Sequence, residues 1–276
     1  MPLMNPWFYA RLLALKRRFA MQFFGGFNPY PEPPVDTVLS PSIAHCIDYD
    51  KAALALAWQR NRDRDVSVWQ REARAKLAEL TGYEHRLYKP EIIADVPEPS
   101  GIDIDRWHLY LRVRDGSDVP VDILRPRHVS GPLPVMICLQ GTNSGAHLSW
   151  GEARMPADPE KISAGADYGR QAVHNGFVAV CLEQAAFGER REVVMRRRSH
   201  DPCIDAANHA LLLGRTLLGE RVSDISSVID WLSLNADKLS IDISRLSVMG
   251  SSSGGASALF AAALDKRITS VLASGC

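Results

Sequence analysis

The residues best placed by type and spacing to do chemistry are Gly250, Ser251, Ser252, Ser253 and Gly254, a G-x-S-x-G run within residues 245–259. Residues 246–249 read as a short buried strand, and the small residues from Gly254 onward as a helix. A serine held on such a strand-to-helix turn presents its hydroxyl for nucleophilic attack. The turn brings the flanking backbones together, so the positions two residues before and after the serine must lack side chains. Gly250 and Gly254 meet that demand, and Gly255 lets the helix lie close to the sheet. The helix N-terminus also points backbone N–H groups at any negative charge forming beside Ser252. Covalent attack by Ser252 is the chemistry this pattern predicts. A nucleotide site at the same glycines is the weaker alternative, since both a phosphate-loop lysine and a G-x-G-x-x-G run are missing.

A nucleophilic serine needs a base to take its proton and a carboxylate to orient that base. No histidine follows Ser252, and the one carboxylate after it is Asp265, which is expected to end the helix. Upstream, His147 lies nearest in sequence to the glycines at 141 and 145, followed by His174, His200 and His209. Each of these four reads more simply as an ordinary surface or core histidine.

The elements that must position the serine follow from hydropathy patterning. Trp107, Leu109, Leu111 and Val113 alternate with His108, Tyr110, Arg112 and Arg114, the period of a half-buried strand. Asp115 and Gly116 then turn the chain, and Val119, Val121 and Ile123 alternate again, predicting an antiparallel hairpin. Residues 135–139 and 177–182 are continuous apolar runs, as expected of strands buried on both faces. Helices are predicted near 167–175 and 221–234, the second burying Val222, Ile225, Val228, Ile229 and Leu232, and a last strand is predicted over 268–273. This order predicts an α/β fold: a mostly parallel, twisted sheet with an antiparallel N-terminal hairpin and helices on both faces.

Residues 1–85 read as a helical N-terminal extension and 86–276 as the core. Within the extension, Phe8, Leu12, Leu15, Phe19 and Phe23 share one helical stripe over residues 7–24. A Pro- and Gly-rich linker is expected over 25–41, then a mostly helical stretch over 49–82 with Thr81 and Gly82 as its stop. These helices are expected to dock on their own domain or to form a homo-oligomer contact, and a membrane-surface anchor is the alternative for the first.

Composition narrows the function classes. The chain has 276 residues, 46% hydrophobic and 23% charged, with 32 basic and 32 acidic residues and a formal net charge of zero. That balance gives a nucleic-acid partner no support. No run of about 18 apolar residues suggests a transmembrane span. Cys46, Cys138, Cys181, Cys203 and Cys276 are odd in number and contain no C-x-x-C pair, which points to a reducing, cytoplasmic setting without a zinc site.

Four stretches together resemble the α/β-hydrolase superfamily, and within it the acetyl-xylan-esterase-like and dienelactone-hydrolase-like branch. They are residues 139–145 (Gln140, Gly141, Thr142, Asn143, Gly145), residues 183–190 (Glu183, Gly188, Glu189, Arg190), residues 213–219 with Asp224 and Asp230, and the Ser252 turn with residues 263–268. The resemblance implies an oxyanion hole formed by the backbone N–H of Ser253 and a second N–H after Leu139, that of Thr142. Removing one such donor typically costs about 100- to 1000-fold in rate. It also implies hydrolysis of a small-molecule ester, of acetylated-sugar or lactone type, through an acyl-enzyme and without metal or organic cofactor. Gln140 departs from the pattern, since relatives usually carry histidine there. In hydrolases of this fold the acid and then the histidine follow the serine, so the sequence reads as a fragment lacking the last strands, expected to fold poorly and act weakly alone. The alternative reading is a catalytically incomplete hydrolase fold with a binding role or none. Glu183, Glu189 and Arg190 are expected to brace the site by ion pairing.

Overall fold

The computed structural model describes residues 15, 37, 39, 41–85, 89–96, 103–192 and 203–276. The chain divides into two compact units, residues 1–57 and 58–276. In the first unit, helix α1 spans Pro41–Lys51. The stripe expected over 7–24 and the linker over 25–41 fall, but for a few positions, outside the described residues.

The second unit is built on a seven-stranded sheet in the order β1-β2-β3-β5-β4-β6-β7. Its strands are β1 (Glu91–Val96), β2 (Ile104–Arg114), β3 (Ser117–Pro126), β4 (Leu133–Leu139), β5 (Val178–Leu182), β6 (Ile241–Ser251) and β7 (Ser270–Ser274). Strands β2, β4, β5, β6 and β7 run one way, and β1 and β3 the other. The predicted hairpin is β2–β3, turning at Gly116 with φ 71°. Strand β6 lies between β4 and β7, both parallel to it. Strand β7 is the edge on that side, with Val271 and Leu272 exposed.

Helices cover both faces of the central strands β4 and β5, which are apolar at every position. Val135, Ile137 and Leu139 of β4 pack on one face with Val222, Ile225 and Ile229 of helix α5 (Leu217–Leu234) and Ala258 and Ala261 of helix α6 (Ser253–Leu264). Cys138 points the other way, joining Cys181, Ala172 and Val173 under helix α3 (Tyr168–His174). Burying a leucine- or valine-sized side chain contributes roughly 1.5–3 kcal/mol, so these two layers dominate the stability of the unit.

The helical stretch expected over 49–82 is broken. Residues 52–65 are irregular apart from a short turn at Trp58–Arg60, and helix α2 begins at Val66 and ends at Thr81. The break has a local cause. Asp65 caps α2, its carboxylate accepting from Val68 N–H at 3.0 Å, and a capping residue leaves helical geometry. Helix α2 belongs with the sheet: Leu77 and Ala78 pack on its core, and the Arg74 side chain donates to the Ala263 carbonyl at 2.7 Å. Strand β1 had no sequence expectation, since adjacent Ile92 and Ile93 are both partly exposed and show no alternation. Helix α4 (Cys203–Leu212) forms in a stretch for which the sequence predicts no element. Among the described residues no helix is long and apolar enough to cross a membrane.

Candidate active site

Ser252 sits between β6 and α6 at φ 53°, ψ −122°, a left-handed conformation that costs a non-glycine residue of order 1–3 kcal/mol. Packing on every side holds it there. A Cβ on Gly250 would overlap the Gly254 carbonyl, and one on Gly254 would overlap the Leu139 carbonyl. A Cβ on Gly255 would come within 3.0 Å of the Ser274 carbonyl. The Ser252 N–H donates to the Ser274 carbonyl at 2.7 Å, tying the turn to β7. The side chain is exposed, does not cap α6, and has no hydrogen-bond partner among the described residues.

The loop after β4 runs directly against this turn. A Cβ on Gly141 would lie 2.8 Å from the Ser251 carbonyl and 3.2 Å from Ser252 Cβ. Together they line a cavity of about 360 Å³ that includes Gln140, Thr142, Asn143, Lys161, Ala166, Tyr168 and Ser252. The Ser253 N–H opens α6 and so lacks an intrahelical acceptor. The Thr142 N–H donates to no described backbone group.

Gln140 fixes the loop. Its buried side-chain amide donates to Ser149 Oγ at 2.7 Å and to the Ala166 carbonyl at 2.9 Å. Its side-chain oxygen accepts from Asn143 Nδ2 at 3.0 Å and the Tyr168 hydroxyl at 2.6 Å. Two donors and two acceptors in one plane are beyond an imidazole. A histidine at position 140 could not hold the loop in this way. Burial pushes the Tyr168 phenol above its ordinary value, so it serves as a fixed donor.

His147 is buried at the next turn, its Nε2 2.9 Å from Asp158 Oδ2, and it does not line the cavity. Burial alone would raise the Asp158 carboxyl. Hydrogen bonds from the Ser144 hydroxyl, the His147 ring and the Arg154 and Met155 N–H groups outweigh it and hold the carboxyl below the usual range. Glu183 carries the loop from the opposite side, both oxygens accepting from Ala146 N–H at 3.0 and 3.2 Å. Of the three residues expected to brace by ion pairing, Arg190 pairs with Asp224 at 2.7 Å and Glu189 with Arg154 at 3.6 Å, Glu189 also accepting from Tyr110, while Glu183 meets Arg190 through its backbone carbonyl. His174 and His209 lie on α3 and α4, and His200 lies outside the described residues. No histidine is among the described residues lining the cavity.

Burial raises the Glu183 carboxyl to about 7, against hydrogen bonds from the Ala146 and Glu189 N–H groups. An unfolded glutamate titrates near 4.3, roughly, so the folded state holds this proton more tightly. The associated stability is fully present below about pH 4 and is lost as pH rises to about 7. Between pH 5 and pH 8 the wild type is expected to lose up to about 3 kcal/mol more unfolding free energy than Glu183→Gln. Denaturant titrations at the two pH values check this, and parallel losses in both proteins would contradict it.

Arg221 supports the turn from behind. Its buried guanidinium donates to Ser253 Oγ at 2.9 Å, to the Ala185 carbonyl at 3.0 and 2.7 Å, and to Cys203 Sγ at 3.3 Å, and it stacks 4.3 Å over the Phe187 ring. No sequence expectation assigns Arg221 a role, although an arginine beside Val222 on the buried stripe of α5 is a signal for one. Lys161, Ala166 and Tyr168 were also missed as lining residues. Lys161 and Ala166 sit in a segment of single-turn helices that no periodicity marks, and Tyr168 opens the predicted helix α3.

A family model described as BD-FAE matches residues 208–272. No curated protein matches the sequence. Among solved structures, a Bacteroides fragilis protein provisionally named an acetyl xylan esterase superposes with TM-score 0.64 at 18% identity, covering 87% of this chain and 62% of its own. A glucuronoyl esterase from Solibacter usitatus superposes with TM-score 0.50 at 16% identity, covering 75% of this chain and 58% of its own. The chain thus spans about three fifths of the length of each. At these identities the likeness is one of fold, and the fold is that of the α/β-hydrolases.

Proposed function

We propose that the chain carries the nucleophile and oxyanion side of a serine carboxylic-ester hydrolase acting on small acyl esters of acetylated-sugar or lactone type. The observation that carries this reading is Ser252 itself. A non-glycine residue is held in a strained conformation by backbone on three sides, with its hydroxyl open to the cavity. In the reaction, Ser252 Oγ attacks the ester carbonyl carbon while the Ser253 and Thr142 N–H groups stabilise the oxyanion. The serine proton leaves with the alcohol, and water then cleaves the acyl-serine to acid and free enzyme. The BD-FAE match and the esterase names of the two solved structures support the class. Five free thiols support a reducing, cytoplasmic setting. The N-terminal helices are candidates for a homo-oligomer contact.

One observation favours a second reading, in which the fold binds esters without turning them over. No described residue accepts the Ser252 proton, and loss of triad members leaves only about 1000- to 10000-fold over water. Mixing the chain with excess 4-nitrophenyl acetate distinguishes the two. Acyl transfer predicts release of one equivalent of nitrophenolate per chain above the rate of buffer, lost in Ser252→Ala. Release that survives Ser252→Ala would overturn the nucleophile.

A further inference from the structure

The cavity beside Ser252 is electrostatically one-sided. Of its lining residues, Gln140, Gly141, Thr142, Asn143, Ala164, Gly165, Ala166, Tyr168, Ser251 and Ser252 are neutral, and Lys161 alone is charged among the described residues. The N-terminus of the twelve-residue helix α6 opens onto the same space and adds positive potential. No carboxylate lines it.

The Lys161 ammonium is only loosely held by the protein. Its nearest carboxylate oxygen is Asp158 Oδ1 at 4.0 Å, and Nζ makes no hydrogen bond to a described residue. Asp158 is fully buried, and the Ser144 hydroxyl, the His147 ring and the N–H groups of Arg154 and Met155 already take up its oxygens. It therefore anchors the turn on which Lys161 stands more than it satisfies the ammonium. Lys161 lies in the short helix Asp158–Lys161, directly before the Ile162–Ala166 turn that forms the cavity wall, and its side chain is 38% exposed.

The geometry points to Lys161 as a substrate-selecting residue that favours esters bearing a carboxylate, on either the acyl or the alcohol half, over neutral ones. This rests on the reading of Ser252 as the nucleophile. The Lys161 ammonium carries three donors on a wall that is otherwise uncharged among the described residues, and gives a charge-assisted hydrogen bond to such a ligand.

The test separates binding from chemistry. On Ser252→Ala protein, titration calorimetry compares 4-nitrophenyl hemisuccinate with 4-nitrophenyl butyrate, and 4-acetoxybenzoate with phenyl acetate. The anionic member of at least one pair is expected to bind about tenfold tighter. Lys161→Met should remove that preference, and Lys161→Arg should keep it. In the Ser252→Ala protein itself, raising salt from about 0.05 to 0.5 M should shrink the preference. Equal binding within both pairs, or a preference that survives Lys161→Met, would overturn the assignment. A preference on Ser252→Ala protein with no nitrophenolate release from wild type would uphold Lys161 and count against the nucleophile.

Discussion

Gly254→Ala is expected to abolish the cooperative fold of the 58–276 unit or to force the Ser252 turn open. The added Cβ would overlap the Leu139 carbonyl oxygen and come within 2.6 Å of the Gln140 carbonyl oxygen. Both obstacles are backbone, so no side chain can swing aside. That backbone is the end of β4, pinned in register between Cys138 and Cys181 on one side and Leu139 and Gly250 on the other. At an unobstructed helical site the same change stabilises by about 1 kcal/mol, which makes the sign diagnostic. Here the cost should exceed about 4 kcal/mol, a level reached by few single substitutions. Thermal unfolding followed by circular dichroism reads it, and a variant melting within a few degrees of wild type would refute the packing described for the turn.

Arg221→Met should be the next most damaging change. The guanidinium supplies two hydrogen bonds to the Ala185 carbonyl and one to Ser253 Oγ, all within 3.0 Å. Methionine fills similar volume but leaves those part-buried acceptors without the guanidinium, at about 1–3 kcal/mol each. A loss of about 3–5 kcal/mol follows, against a total stability of about 5–15 kcal/mol for a typical domain. Lysine should rescue little, because a single ammonium cannot reproduce the planar fork. The functional effect is separate: Ser253 would lose the partner that fixes the start of α6, and covalent labelling of Ser252 should slow. Urea titration checks the first, and a midpoint shift worth under about 1 kcal/mol would contradict it.

The parts legible in the sequence are those whose cause is local. Alternation over Trp107 to Val113 and over Val119 to Ile123 is a backbone period of two, and it became the β2–β3 ladder. The unbroken apolar runs at 135–139 and 177–182 became β4 and β5 because both faces of those strands are covered. The G-x-S-x-G spacing announced a turn in which Gly250 and Gly254 touch backbone. What was illegible has distant causes. Residues 146–166 take their shape from the buried Asp158 carboxylate and the Gln140 side chain, whose partners lie up to 28 residues away. Lys161 and Tyr168 reach the cavity only through that segment. Strand β1 pairs along β2 with Ile92 and Ile93 both partly exposed, so neither period marked it. Arg221 shares the buried stripe of α5, but its acceptors, Ala185 and Ser253, are 36 and 32 residues away and nothing local names them.

The central claim is that Ser252 is the reactive nucleophile. Incubating the chain with a fluorophosphonate and measuring the intact mass, then mapping the modified peptide, tests it most directly. Strain and the oxyanion N–H groups predict one adduct per chain, located at Ser252 and absent from Ser252→Ala. An adduct on another residue, or labelling of equal extent in Ser252→Ala, would contradict it.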